Sequence, residues 1–271
     1  MKRELKYLFG IAILSLCPHT PLRAQTTTPA LTSTSVANYR KIVSPDSIAA
    51  GWGTNLAASL VSVSGSDVAA GLPTTLGGVK LTFTDSDKVV TTPLLYMVSP
   101  GQVNFVVPPG AALGKATLSL SSTGQPITGD VFVSNISPGI FTADLTGNGA
   151  PAAQVLRVTT GGQFSYDSTV QPVQGTTTFT PRPIDLSTSP TDKVYIILYG
   201  TGFRRHSLNP VIAAIDGINV PVIFAGAQNQ YPGLDQINIG PLPQSLSTLT
   251  TADLVITVDG APANTVRLAF K

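Results

Sequence analysis

Few residues in this chain could carry out catalysis. After residue 24 the sequence has one histidine, His206, and no glutamate or cysteine. A serine hydrolase needs a base beside its nucleophile, yet no G-x-S-x-G elbow occurs, and His206 follows two arginines in a loop. Glycoside hydrolysis needs two facing carboxylates, whereas the pattern places Asp85 and Asp87 at a polar hairpin tip. We therefore predict that the protein is not an enzyme.

Metal and cofactor sites are not predicted either. Without cysteine or paired histidines, the exported part of the chain lacks the usual zinc ligands. The run from Asp144 to Gly149 offers oxygen ligands around a glycine turn but lacks the further carboxylates of an EF-hand loop. We interpret it as a turn, with a structural calcium site as the alternative. No cofactor is expected.

Exposed aromatic side chains are the most direct candidates for binding. Flat rings with a polar tip suit carbohydrate and protein surfaces. Tyr96 and Tyr199 lie inside apolar runs and are expected in the core. Trp52 and Tyr231 lie outside such runs, so these two residues are the predicted binding aromatics.

The N-terminus has the order of charge and hydropathy of a secretory signal peptide. Basic residues precede the apolar run Tyr7–Cys17, and a small residue, Ala24, closes the segment. The apolar run is too short for a bilayer core, which needs about 20 helical residues. We predict cleavage after Ala24 and a secreted, periplasmic or cell-surface location. A lipoprotein reading through Cys17 is the alternative.

Charge limits the kinds of partner. Residues 1–24 hold four of the 16 basic and one of the 14 acidic residues, which leaves 12 and 13, a net charge of −1. A net charge of −1 does not indicate electrostatic attraction to nucleic acid or to an anionic membrane. Arg204 and Arg205 form a short basic tract that could contact an acidic partner. The expected partner is a protein or glycan of the envelope or extracellular space.

Short alternating runs with glycine and proline between them predict an all-β fold. We divide the chain into a disordered Thr/Ser-rich linker over 25–43, a first immunoglobulin-like sandwich over 44–139, a hairpin-bearing connector over 140–190 and a second sandwich over 191–271. The two sandwiches are predicted because the chain repeats itself. The repeated positions are, in the first copy, Gly53, Thr54, Pro100, Gly101, Gln102 and Asn104, and in the second, Gly200, Thr201, Pro232, Gly233, Gln236 and Asn238. We expect these to be structural, with the Gln and Asn side chains facing outward or meeting a neighbouring loop.

The motifs together resemble a known family. The stretches at 44–48, 53–56, 72–79, 96–105 and 137–142, continued at 198–202 and 236–239, are similar to the uncharacterised C-terminal domain family of Solibacter and other acidobacteria. The resemblance covers about 44–271. It implies an exported protein with immunoglobulin-like modules of the IPT/TIG kind. It implies no catalytic or binding residue.

Two functions remain open from the sequence. The first is a non-enzymatic structural or interaction module that binds through loops or sheet edges. The alternative is an extracellular carbohydrate-binding module that uses exposed aromatics.

Overall fold

The computed structural model describes residues 30–271 except 66–67, 69–70, 123–124, 188 and 190. The predicted signal peptide therefore lies outside the described residues. We call residues 30–138 the first unit. Its strands are β1 (Thr32–Ser35), β2 (Ile42–Val43), β3 (Ile48–Trp52), β4 (Val61–Ser62), β5 (Thr75–Leu76), β6 (Val79–Thr84), β7 (Val90–Thr91), β8 (Leu94–Val98), β9 (Gln102–Val106), β10 (Gly114–Ser121) and β11 (Ile127–Val133).

Residues 139–271 form the second unit, which adds one 3-10 helix at Gln244–Thr248. Its strands are β12 (Gly139–Ile140), β13 (Ala153–Val158), β14 (Phe164–Ser168), β15 (Val170–Pro172), β16 (Phe179–Pro181), β17 (Lys193–Thr201), β18 (Ile212–Ile215), β19 (Ile218–Val220), β20 (Val222–Ala227), β21 (Asp235–Ile239), β22 (Thr251–Val258), β23 (Ala261–Pro262) and β24 (Val266–Ala269).

Two sheets enclose the core of the first unit. Sheet I has the order β1-β3-β9-β8-β4, and sheet II has the order β2-β11-β10-β6-β5, with β7 paired to β6. The strands of sheet II alternate, because residues that repeat every second position share one face of a strand. In β6, Val79, Leu81 and Phe83 are fully buried. They pack against Val103 and Phe105 of sheet I in one apolar cluster.

The second unit repeats this arrangement. Sheet III has the order β14-β13-β17-β21-β20, with β12 paired to β17, and sheet IV has the order β19-β18-β22-β23, with β24 paired to β22. Ile196 and Ile237 of sheet III pack with Leu254 and Ile256 of sheet IV. The fold is all-β, as predicted, with several sheets arranged as in β-sandwich immunoglobulin-like folds. The number of domains stays a prediction.

The expectation of a disordered linker over 25–43 is wrong for its described part. Strand β1 pairs along its length with β3, and β2 pairs with β11. Val36 and Ala37 are buried between the units. Threonine and serine are compatible with strands as well as with disorder. These residues form strands because their pairing partners, β3 and β11, lie outside the segment.

The interpretation of 140–190 as a connector is also wrong. The hairpin of β13 and β14 forms as predicted, but β13 then pairs with β17 and becomes an inner strand of sheet III. The proline-rich stretch after β16 lies against β24, because the Ile184 amide donates to the Ala269 carbonyl. Leu186 in the same stretch is fully buried. These residues belong to the second unit.

A third apolar cluster joins the two units. It contains Ile48 and Met97 from sheet I together with Phe141, Tyr199 and Leu234 from the second unit. The inner strands of sheet I therefore bury both faces, and β9 has no exposed residue. No helix in the described part of the chain is long and apolar enough to cross a membrane.

Candidate functional site

Trp52 and Tyr231 lie at the edge of the cluster between the units, where both are half-buried. The Trp52 indole Nε1 donates to Thr34 Oγ1 at 3.0 Å, and its ring lies 6.2 Å from that of Tyr39 at a tilt of 48°. These contacts place Trp52 in the packing of the fold. Tyr231 packs against the same cluster. Neither ring offers a fully open flat face, and their role in binding stays a prediction.

Arg204 is fixed inside the second unit. Its Nε contacts Asp235 Oδ1 at 2.5 Å, and its Nη2 donates to the Leu234 carbonyl at 2.8 Å. Burial raises the pKa of the Asp235 carboxyl, while the Arg204 guanidinium and the backbone amides of Phe203 and Arg204 oppose that shift. Such a buried pair is costly to break from one side. The Arg204–Asp235 pair therefore anchors the loop after β17 to strand β21.

Arg205 reaches across to the first unit. Its Nη1 donates to the Pro109 carbonyl at 2.7 Å and lies 3.8 Å from Asp46 Oδ2. The neighbouring residue, His206, contacts the Ser207 and Ala225 carbonyls at 2.7 and 3.3 Å through its two ring nitrogens. Arg204 therefore stabilises the loop after β17, and Arg205 contributes to the interface between the two units. Among the described residues, no serine or threonine hydroxyl is hydrogen-bonded to either ring nitrogen of His206.

The repeated glycine and threonine positions have structural contacts. In the second unit Thr201 Oγ1 donates to the Gly233 carbonyl at 2.7 Å and accepts from the Ile48 amide at 2.8 Å. In the first unit the amide of Gly53 donates to the Gly101 carbonyl at 3.1 Å. The glycine-threonine run thus meets the proline-glycine turn in both copies. Thr54 itself is exposed.

The aspartates considered for chemistry belong to turns. Asp85 accepts hydrogen bonds from the backbone amides of Ala112, Asp87 and Val89, and the Ala112 amide contributes most to lowering the pKa of Asp85. Asp144 accepts from the amide and hydroxyl of Thr146 within its own loop. In the described part of the chain, no three acidic, histidine or cysteine residues cluster as a metal site.

The outer face of sheet III carries most of the exposed aromatic surface. Among the described residues, four aromatic side chains are exposed, and three of them lie on this face: Phe164 (68%), Phe224 (41%) and Tyr166 (38%). The fourth, Phe132, lies on the outer face of sheet II. Exposed apolar side chains that share one face are candidates for an interaction site.

The register of sheet III places these rings on one face, with Phe164 and Tyr166 on one edge strand and Phe224 on the other. Phe164 and Tyr166 are two residues apart on β14, so they share a face, and their centroids lie 6.0 Å apart edge to face. Tyr166 pairs with Leu156, which pairs with Tyr195. Phe224 lies across the sheet on β20. We call Phe164, Tyr166, Tyr195 and Phe224 the aromatic strip.

Amide side chains accompany the aromatic strip on the same face. Asn238 lies between Ile197 and Phe224 in the strand register, and Gln236 Nε2 donates to Asn238 Oδ1 at 2.9 Å. At the buried end, the Tyr199 hydroxyl donates to Gln154 Oε1 at 3.1 Å, and burial raises the pKa of Tyr199 to about 12. Rings flanked by uncharged amides can stack on a ligand and hydrogen-bond to its hydroxyl groups.

Sequence reasoning missed this strip. The alternation of Phe164 and Tyr166 within the predicted hairpin was an available signal, because it places both rings on one face. Tyr195 and Phe224 could not be added without the strand register. Two clefts of about 260 and 250 Å³ lie elsewhere on the second unit, one beside Arg157 and Arg182 and the other beside Asn148. The first is lined by ion pairs such as Arg182–Asp167 at 2.9 Å.

No family model and no curated protein matches the chain, so the resemblance to the Solibacter family stays a prediction. A solved structure with some likeness is SGBP-B of the mixed-linkage glucan utilization locus of Bacteroides ovatus, in complex with a mixed-linkage heptasaccharide. The identity is 13% and the TM-score 0.33, over 85% of this chain and 43% of that one. The chain thus spans less than half of that protein, and a likeness this slight transfers neither fold nor ligand.

Proposed function

We propose that the protein is an exported, non-enzymatic module that binds glycans of the extracellular space or envelope through the outer face of sheet III. The observation that carries this proposal is the grouping of Phe164, Tyr166 and Phe224 on one sheet face. Exposed rings cost solubility, and their concentration on one face is best explained by a ligand. The signal-like N-terminus supports export.

Glycan binding accounts for this face because sugar rings present apolar C–H surfaces edged by hydroxyl groups. Aromatic rings cover the apolar surface, and the amides of Gln236 and Asn238 match the hydroxyls. The few candidate catalytic residues are engaged in turns and loops, which supports a binding rather than a hydrolytic role.

Affinity electrophoresis of the purified protein against a panel of polysaccharides tests the proposal. We expect retardation by at least one polysaccharide, with loss of retardation in Phe164→Ala combined with Tyr166→Ala. Phe132→Ala is the matched control, because that ring is 52% exposed on sheet II and should not affect binding. Equal retardation of the control and the double variant would contradict the proposal, as would a panel without any binding.

An interaction with a protein is the second candidate, and strand β14 favours it. This strand ends the order of sheet III, so one of its edges has no strand partner in the described chain. Such an edge can accept an added strand. Proline in place of Ser168 should prevent an added strand from pairing with the free edge of β14, without affecting retardation by the polysaccharide. Capture of one envelope protein by the unaltered chain, lost in Ser168→Pro, would favour this candidate.

A further inference from the structure

The repeated Gln-Xaa-Asn pair occupies the same position in both units but in different surroundings. Gln102 Nε2 donates to Asn104 Oδ1 at 2.8 Å, as Gln236 does to Asn238 at 2.9 Å. In both copies a β-bulge in the neighbouring strand lies beside the asparagine. Gln102 and Asn104 are only 2% and 0% exposed, whereas the second pair is half-buried. Only the second pair can therefore reach a ligand.

The internal hydrogen bond orients the second pair. With Gln236 Nε2 donating to Asn238 Oδ1, Gln236 Oε1 remains an acceptor and Asn238 Nδ2 remains a donor. Within the described part of the chain, neither of these two atoms has another hydrogen bond. One donor beside one acceptor matches neighbouring hydroxyl groups, since each hydroxyl can both donate and accept.

The pair lies among the rings of the aromatic strip. Phe224 is the cross-strand neighbour of Asn238 on β20. On the other side, Tyr195 lies over Gly240, because a Cβ built on Gly240 would come within 2.7 Å of Tyr195 Cδ1. Phe224 is therefore the direct neighbour of Asn238, and Tyr195 is its diagonal neighbour on β17. A ligand stacked on the rings would have its polar edge at the pair.

The shape and charge of this face restrict the ligand. Five strands at spacings of about 4.8 Å make sheet III roughly 20 Å across. Gln154 and Tyr199 are buried and Ile197 packs against the cluster between the units, so the accessible part of the outer face is the part beyond them. A face of this width suits a polymer rather than a small molecule. The side chains that remain partly accessible between the rings, Leu156 and Asn238, carry no charge, and Lys193 lies at the margin. An anionic polymer would find no matching cations among them.

We infer that the ligand is a long, uncharged polysaccharide and that the Gln236–Asn238 pair is its specificity-determining hydrogen-bonding element. This inference rests on the proposed glycan function of the same face. The first copy of the pair keeps a structural role in sheet I. The second copy has the same internal hydrogen bond, which pre-organises the two amides for binding.

Titration of purified protein with hydroxyethylcellulose, mixed-linkage β-glucan, alginate and polygalacturonate tests the inference. We expect binding to a neutral polymer and weaker binding to the acidic ones. Asn238→Asp replaces the donor by an acceptor but can still accept from Gln236, and it should weaken binding by roughly tenfold or more. Asn219→Asp, an exposed amide on sheet IV, is the control and should bind as the unaltered protein does.

The outcomes separate this inference from the proposed function. Binding of acidic polymers as tightly as neutral ones, or unchanged binding by Asn238→Asp, overturns the inference while glycan binding stands. Absence of binding to every polymer overturns both. If Asn238→Asp does not fold by circular dichroism, Asn238→Ser, which keeps a small polar group without the amide, replaces it under the same expectation.

Discussion

Replacement of Thr201 by valine should strongly destabilise the protein, because the Thr201 hydroxyl links the two units. This hydroxyl donates to the Gly233 carbonyl and accepts from the Ile48 amide, and Thr201 and Ile48 are fully buried. Valine keeps the shape but leaves both backbone groups without a partner. Each buried unsatisfied group costs about 1–3 kcal/mol, so the loss for the two groups should be about 2–6 kcal/mol. Total stabilities are typically about 5–15 kcal/mol, so the effect would be large.

Urea unfolding followed by the fluorescence of Trp52 measures this loss. Thr201→Ser is the control, because it keeps the hydroxyl and loses one methyl group, at a cost of about 1 kcal/mol. Thr201→Val should have a lower urea midpoint than Thr201→Ser. Equal midpoints for the two variants would refute the assignment of a buried, shared hydroxyl between the units.

Three further substitutions test the fold. Gly233→Ala should destabilise by at least about 1–2 kcal/mol in urea unfolding, because Gly233 has φ +80° and its Cβ would lie 2.6 Å from Ile48 Cγ1; unchanged stability would refute this. Phe105→Ala, in the core of the first unit, should cost about 3–5 kcal/mol in the same assay, and a smaller loss would contradict full burial. Asp85 stabilises the fold above its ordinary pKa of 3.8, and that stabilisation should disappear as the pH falls through its lowered folded-state pKa. Asp85→Asn should therefore flatten the acid limb of a stability–pH curve, and an unchanged limb would contradict the assignment.

The all-β class could be predicted from sequence because alternation is local. The runs in β6 and β10 bury every second residue, as their patterns indicate. The hairpin of β13 and β14 was equally local and forms. Its inclusion in sheet III was not predictable, since β13 pairs with β17 across a long intervening segment. The same limit explains β1, whose Thr/Ser-rich sequence carries no sign of its pairing with β3.

In the candidate site too, the local features could be predicted from sequence and the long-range packing could not. The Gln-Xaa-Asn repeat was visible in the sequence, and both copies make the same internal hydrogen bond. Which copy is open to solvent depends on packing between the units, which no local pattern encodes. The position of Trp52 outside an apolar run predicts an exposed ring, yet Trp52 is half-buried at the unit interface. Burial between units cannot be read from the residues of one unit alone.

The most direct test of glycan binding through sheet III is an amide chemical-shift titration of the isotope-labelled protein with soluble oligosaccharides of a neutral polysaccharide that it binds. The account predicts shifts concentrated on β14, β13, β17, β21 and β20, including the side-chain amide of Asn238, with the face around Phe132 unaffected. Shifts confined to other surfaces, or no shifts at oligosaccharide concentrations that saturate binding in solution, would contradict it.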